Sequence, residues 1–235
     1  MNVASINQLN NEAIALLERG DSPTAVAILK RALATLLEAE NEGRVVEDAT
    51  SSSVVQSVPI ACIDAIIYGS TTSDDDLLDM YPRAFTLVTY QDGVGSFHQT
   101  ILVILYNLAL SFDAMALAAA SRESSETNTK STAAWHKNAI KLYETALQVA
   151  CDRGRAEVNA MSCVLLAATN NLGRLQAQRL CFTDTKDCLR SVIKLYESTS
   201  DDTRRRNVED FELLFNSLAP FLCVKDNLLP VAPAA

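Results

Sequence analysis

The sequence predicts an all-α protein, and three observations support this. Glycine and proline are scarce, with 7 and 6 among 235 residues, whereas sandwiches and barrels need many more turn residues. Apolar residues recur at intervals of three and four through long stretches rich in alanine and leucine, which is the spacing of amphipathic helices. A short pattern, asparagine followed two residues later by a small residue, opens three helix pairs, at residues 11–13, 107–109 and 171–173. This recurrence predicts a repeat protein of stacked helical pairs.

The first pair is predicted over about residues 5–42. An apolar stripe covers residues 6–19 and is broken by Gly20 and Asp21. Ser22 can cap a second helix, and Pro23 suits its first position. A second stripe then continues to residue 36, and Gly43 marks the end of the unit. We therefore expect a compact helical hairpin.

An insertion is predicted over about residues 44–97, where the composition changes. Serine and threonine cluster at residues 50–53, three aspartates stand at 74–76, and apolar pieces rich in β-branched or aromatic residues cover 54–67 and 85–90. The two apolar pieces could pair as a small β-hairpin or lie extended over the helices. The aspartates match no calcium-loop pattern, which favours a solvated loop.

The most apolar stretch, residues 101–120, opens the second pair, predicted over about 98–151. Its length raises the question of a membrane span. Asn107, Ser111 and Asp113 lie near its middle, where an uncompensated carboxylate would be costly in lipid. A helix that is apolar almost all round is also typical of the centre of a stack. We therefore expect burial inside protein, and no membrane as partner.

The rest of the chain predicts a third pair and a closing helix. A polar linker covers residues 121–132, and a helix follows over about 133–151. The third pair is predicted over about 155–199, with its second helix beginning after residues 182–184. A last stripe at about 203–222 predicts the capping helix that the end of a repeat stack requires. Residues 223–235 form a tail.

Charge and cysteine content exclude several classes of protein. The formal net charge is −9, so the surface lacks the basic footprint of nucleic-acid binders. Six cysteines form no CxxC pair and mostly lie among apolar residues, which predicts reduced core thiols rather than a disulfide framework. The first fifteen residues lack the basic and apolar blocks of a secretory signal. We expect a cytoplasmic or nuclear protein.

The helix pairs resemble tetratricopeptide repeats (TPRs). In such repeats a small residue on the first helix meets small residues on the second, where the two helices approach closely. The second helices repeat a spacing of four and then three, and the resemblance covers about two thirds of the chain. It departs from the family because the recurrent asparagines are 96 and 64 residues apart, against about 34 in regular repeats. The residues that carry the resemblance are Ala13, Gly20, Ala25, Leu29 and Ala32; Leu108, Ala109, Ala139, Tyr143 and Ala146; and Leu172, Gly173, Cys188, Val192 and Leu195.

The resemblance implies a TPR-like superhelix whose first helices line a concave groove for a peptide. An amide side chain there can donate to and accept from a peptide backbone. The partner-binding residues it implies are Asn11, Asn107 and Asn171, with Tyr106 and Arg174 beside them. The clamp that grips chaperone carboxylates is not supported, because Asn10 and Ile14 stand where that clamp needs lysine and asparagine.

An enzyme is disfavoured by the motif content. The only histidines, His98 and His136, belong to no metal or nucleophile motif, and no glycine-rich phosphate loop occurs. We therefore expect a protein-binding adaptor with no catalytic residue, no metal and no cofactor. The alternative is a structural subunit or homo-oligomer scaffold that uses the same helical surfaces. The oligomeric state and the path of the insertion stay open.

Overall fold

The computed structural model describes residues 3–43, 53–69, 80–89, 97–120, 126–151 and 161–214. Within these ranges the chain is mostly helical, with one small sheet, in agreement with an all-α protein. The elements in chain order are α1 (Val3–Glu18), α2 (Ser22–Asn41), β1 (Ser53–Pro59), α3 (Ala61–Gly69), β2 (Arg83–Thr89), α4 (Phe97–Ala120), α5 (Glu126–Cys151), α6 (Ser162–Gln178), α7 (Phe182–Ser198), α8 (Asp201–Arg206) and α9 (208–214).

The turn between α1 and α2 follows the sequence expectation closely. Gly20 has a φ of 79°, a left-handed conformation that suits glycine. The capping residue, however, is Asp21, whose side chain accepts a hydrogen bond from the Thr24 backbone N–H. Ser22, the predicted cap, is already the first helical residue, because the carboxylate of Asp21 reaches the free N–H groups first.

The two apolar pieces of the insertion form an antiparallel pair, with Ser57 opposite Phe85. The first piece is only partly a strand, because helix α3 begins at Ala61. Ile60 and Ile63, which have helical rather than alternating spacing, are both fully buried. The strands are therefore joined by a long connection that contains a helix and not by a tight turn. The acidic run at 74–76 lies outside the described residues.

The helices pack as a sequential stack. Each of α1, α2, α4, α5, α6 and α7 packs on the next, and the first helices α1, α4 and α6 also touch one another in that order. Strand β2 lies against α1 and α4. The small sheet of the insertion thus rests on the side of the stack that the first helices form.

Helix α4 is the centre of this stack. In the described part of the chain it is the one helix long and apolar enough to cross a membrane, but 83% of that apolar window is buried inside the protein. It packs against α2 on one side and α5 on the other. Its apolar composition is therefore explained by protein neighbours on both sides.

Two predicted boundaries are wrong. Helix α5 begins at Glu126, so much of the predicted linker at 121–132 is helical. The predicted capping helix is interrupted at Asn207, whose backbone leaves the helical region at φ −124° and ψ 41°. The Asn207 side chain donates to the Thr203 carbonyl instead, a local bond of the kind that competes with helix continuation. Residues 152–160 and 215–235, where the third pair and the tail were predicted in part, lie outside the described residues.

Candidate polypeptide-binding site

Asn107 binds both backbone groups of a single residue. Its Oδ1 accepts from the Phe85 N–H at 2.9 Å, and its Nδ2 donates to the Phe85 carbonyl at 2.7 Å. The same Nδ2 donates to Oδ1 of Asn10 at 2.8 Å. Asn107 is fully buried. The Asn107 amide therefore binds the backbone of an extended strand much as a neighbouring β-strand would. These two bonds do not depend on which side chain residue 85 carries.

Asn171 repeats this arrangement one helix pair later. Its Oδ1 accepts from the Tyr81 N–H at 2.7 Å, and its Nδ2 lies 3.2 Å from the Tyr81 carbonyl. The Tyr106 hydroxyl donates to that carbonyl at 3.3 Å. Nδ2 of Asn171 also lies 3.1 Å from the Tyr143 hydroxyl oxygen. Two recurrent asparagines thus hold one extended segment at backbone positions four residues apart.

The segment that these amides hold belongs to the chain itself. We call residues 80–87 the inner segment; it comprises Met80, Tyr81, Pro82 and most of strand β2. The side chains of Met80, Tyr81, Ala84, Phe85 and Leu87 are all buried in the hydrophobic core. The insertion therefore fills the side of the stack where the resemblance predicts a partner peptide.

The first repeat contributes two amides, and the one that binds the backbone of the inner segment is not the predicted one. Asn11 is exposed, and its Oδ1 accepts from the Thr86 hydroxyl at 2.6 Å. Its neighbour Asn10 is buried and donates to the Phe85 carbonyl at 3.1 Å. Asn10 was missed, although its spacing from Ile6 and Ala13 puts it on the buried face of α1. We call Asn10, Asn107 and Asn171 the amide row.

Aromatic rings surround the held backbone. The rings of Tyr81 and Phe85 stack with centroids 5.9 Å apart, and Phe85 meets the Tyr106 ring edge-on at 5.0 Å. The Tyr106 and Tyr143 rings are 5.7 Å apart. Such pairs stabilise a packed site beyond the burial of their area. Tyr106, predicted as a partner contact, is fully buried and binds the inner segment instead.

Asp210 on α9 joins the sheet to the C-terminal part of the stack. Its Oδ1 accepts from the Ser57 hydroxyl at 2.6 Å and from the Tyr81 hydroxyl at 2.7 Å. Nε of Arg83 lies 3.3 Å from the same oxygen, which is an ion-pair contact without hydrogen-bond alignment. Burial, reinforced by the Asp210 charge, raises the pKa of Tyr81 well above its ordinary value. The Tyr81 hydroxyl therefore stays a donor throughout the neutral range.

Arg174 links two helices of the stack. It is buried on α6 and forms an ion pair with Asp113 of α4. Nε2 of His136 on α5 lies 3.9 Å from the other Asp113 oxygen. Burial lowers the pKa of His136, against the opposing charge of Asp113. In this conformation the Arg174 charge is compensated by Asp113 between two helices, and its contact with a partner stays a prediction.

Little in the described residues suggests covalent or metal chemistry. No group of three or more histidine, cysteine or acidic side chains in these ranges is arranged to hold a metal ion. Burial raises the pKa of the Cys163 thiol to about 12 and that of Cys188 to about 11. At neutral pH both sulfurs are protonated, and the thiol form is a poor nucleophile.

Comparison with protein-family models, curated proteins and solved structures finds no match for this chain. A functional proposal therefore starts from the geometry of the amide row.

Proposed function

We propose that this chain is a non-catalytic interaction module of the TPR type, which binds an extended polypeptide along the concave side of its helix pairs. One observation carries the proposal: Asn107 and Asn171 each hold the N–H and C=O of one residue in the inner segment. Amides placed in this way bind backbone rather than a particular side chain. A partner segment in the same conformation could therefore make the same bonds.

The inner segment acts as a resident ligand with which a partner must compete. A tethered ligand has an effective concentration of roughly millimolar when its linkers are short. A partner therefore binds only if its complex with the amide row is more stable than that of the inner segment. The apparent affinity of the partner is reduced by this competition. The chain would thus be an adaptor whose binding site is occupied by its own inner segment until a partner segment of higher affinity displaces it.

The test uses a labelled peptide with the sequence of residues 80–88. The recipient is a chain carrying Tyr81→Phe and Arg83→Ala, which weakens the contacts of its own segment with Asp210. The peptide retains tyrosine and arginine and so regains those contacts. We expect fluorescence anisotropy to detect binding to this variant and little binding to the wild-type chain.

A matched peptide with phenylalanine and alanine at the same two positions is the control. It has no advantage over the variant's own segment, so we expect it to bind much less. Circular dichroism must first show that the variant is folded. If the folded variant binds neither peptide, or both equally, the inner segment is a fixed part of the core and the amide row is not a partner site.

A structural role is the second candidate, in which the chain is a subunit or homo-oligomer scaffold. It is favoured by an edge of strand β1 that none of the described residues pairs with, discussed below. Molecular mass measured over a range of concentrations separates the two candidates. A monomer that takes peptide into the amide row supports the adaptor, whereas an assembly that takes none supports the structural role.

A further inference from the structure

Strand β1 has one edge that no described residue pairs with. The Phe85 N–H donates to Asn107 and not to β1, so Phe85 and Ser57 are a pair without mutual hydrogen bonds. Opposite residues in an antiparallel sheet alternate between bonded and non-bonded pairs. Val55 and Ser57 therefore direct their backbone N–H and C=O groups away from β2, towards the free edge.

Within the strand itself, the described residues offer none of the usual protection against pairing. Edge strands are commonly blunted by lysine, by proline within the strand or by a bulge. The seven residues of β1 carry no charge, the register with β2 contains no bulge, and the only proline is the last residue, Pro59. Gln56 is exposed, and Val54 is 40% exposed. The strand therefore presents an uncharged edge.

We propose that this edge pairs antiparallel with the β1 edge of a second copy of the chain. The register that overlaps the full strand puts Gln56 on the two-fold axis, facing Gln56 of the second copy. Val55 then lies opposite Ser57, so that their outward backbone groups meet in both halves of the interface. Val54 lies opposite Val58 on one face. The strand is thus complementary to itself, as a two-fold interface requires.

The distribution of charge supports a second copy as the occupant. Each chain has a net charge of −9, but none of it lies on β1, so strand pairing opposes no like charges at the contact. The remaining surfaces repel each other over a distance that salt shortens. We therefore expect dimerisation to strengthen as ionic strength rises. The inference concerns the sheet edge and does not depend on whether the amide row takes a partner.

Sedimentation velocity at increasing concentration tests the pairing. We expect the wild-type chain to pass from monomer to dimer. Gln56→Lys and Gln56→Glu each put like charges face to face on the axis, so each variant alone should raise the dimer dissociation constant severalfold, by up to about fivefold. An equimolar mixture of the two variants faces lysine with glutamate, and we expect it to recover a heterodimer.

Leu37→Lys is the matched control for an added surface charge. Leu37 on α2 is 42% exposed, close to the exposure of Val54. Its substitution by lysine should leave the dimer dissociation constant unchanged. A wild-type chain that stays monomeric at all concentrations would overturn the proposal. So would a dimer that the Gln56 variants do not weaken, or variants that fail to recover on mixing. Slow hydrogen exchange of the Val55 and Ser57 backbone amides in a monomer would mean that the chain covers this edge of β1 itself, which would also overturn the proposal.

Discussion

Leu180 adopts a backbone conformation that suits glycine. Its φ is 58° in the turn between α6 and α7, while Gly20 has a φ of 79° in the turn between α1 and α2. The two turns share their hydrogen bonds, from Cys181 N–H to the Gln176 carbonyl in one and from Asp21 N–H to the Leu16 carbonyl in the other. The Leu180 side chain is 72% exposed, so packing does not offset the strain.

We therefore predict that Leu180→Gly stabilises the protein by about 1 kcal/mol, because a left-handed conformation costs a residue with a Cβ about that much more than glycine. Gly20→Leu should have the opposite effect of similar size. A Cβ at Gly20 would meet no atom within 4 Å, so no clash of the Cβ adds to the backbone strain. Urea denaturation of both variants measures the difference. A destabilised Leu180→Gly chain would contradict the strain argument.

The recurrent asparagines should differ in their effect on stability although their sequence context is alike. Asn107→Ala leaves the Phe85 N–H buried without its acceptor, and Asn171→Ala does the same at Tyr81. We predict a loss of about 1–3 kcal/mol for each, the cost of an unsatisfied buried group. Asn11→Ala is the control, since Asn11 is exposed and should change stability by less than about 0.5 kcal/mol. Equal effects in thermal unfolding would mean that the amide row does not hold the inner segment.

At the scale of elements, α9 is held to the sheet through Asp210 and through the ion pair of Glu209 with Arg83. Asp210→Ala removes the acceptor of the Ser57 and Tyr81 hydroxyls and the ion pair with Arg83. Single elements can open with a free energy below that of global unfolding. We predict that amide exchange in 208–214 quickens by at least about tenfold, which corresponds to about 1.4 kcal/mol of local stability. Exchange in the centre of α4 should change less; hydrogen-exchange mass spectrometry compares the two regions, and parallel changes would contradict a local role.

Local signals predicted some elements well and others poorly. The turn at Gly20 was predicted, and the second helix of the third pair was predicted to begin after residues 182–184, close to the observed start of α7 at Phe182, because stripes and turn residues act over a few positions. The break at Asn207 depends on one side-chain bond. The pairing of β1 with β2 was one of two arrangements left open, because it joins residues far apart in the chain. Such features are decided by tertiary contacts that periodicity does not contain.

The candidate site was predictable in part for the same reason. Asn107 and Asn171 were chosen because they recur before a small residue, and the structure does bring both to one extended backbone. The sequence could not indicate that this backbone is the chain's own, since the contact from Asn171 to Tyr81 spans 90 positions. Asp210 carried no signal, because a single acidic residue in a charged helix looks like a solvated one.

At the scale of the molecule, the inner segment connects parts of the stack that do not follow one another. It is bonded to α1 through Asn10, to α4 through Asn107, to α6 through Asn171 and to α9 through Asp210. Repeat stacks are normally held only by contacts between neighbouring units. A segment that crosses several units should make unfolding more cooperative than a stack alone would be.

We predict that Phe85→Ala costs about 3–5 kcal/mol, the usual range for a buried phenylalanine, and that it also divides the unfolding transition. Phe85 is fully buried against Tyr81 and Tyr106, so its loss loosens the segment that joins the units. Trp135 on α5 is the only tryptophan, and its fluorescence reports the middle pair while circular dichroism reports all helices. The two probes should coincide for the wild type and separate for Phe85→Ala. The control is Phe112→Ala, at another buried phenylalanine of the core, which should lower the free energy of unfolding by a similar amount but leave the two transitions coincident. If the transition of Phe112→Ala is split as well, any large cavity divides the stack, and the inner segment has no special part in its cooperativity.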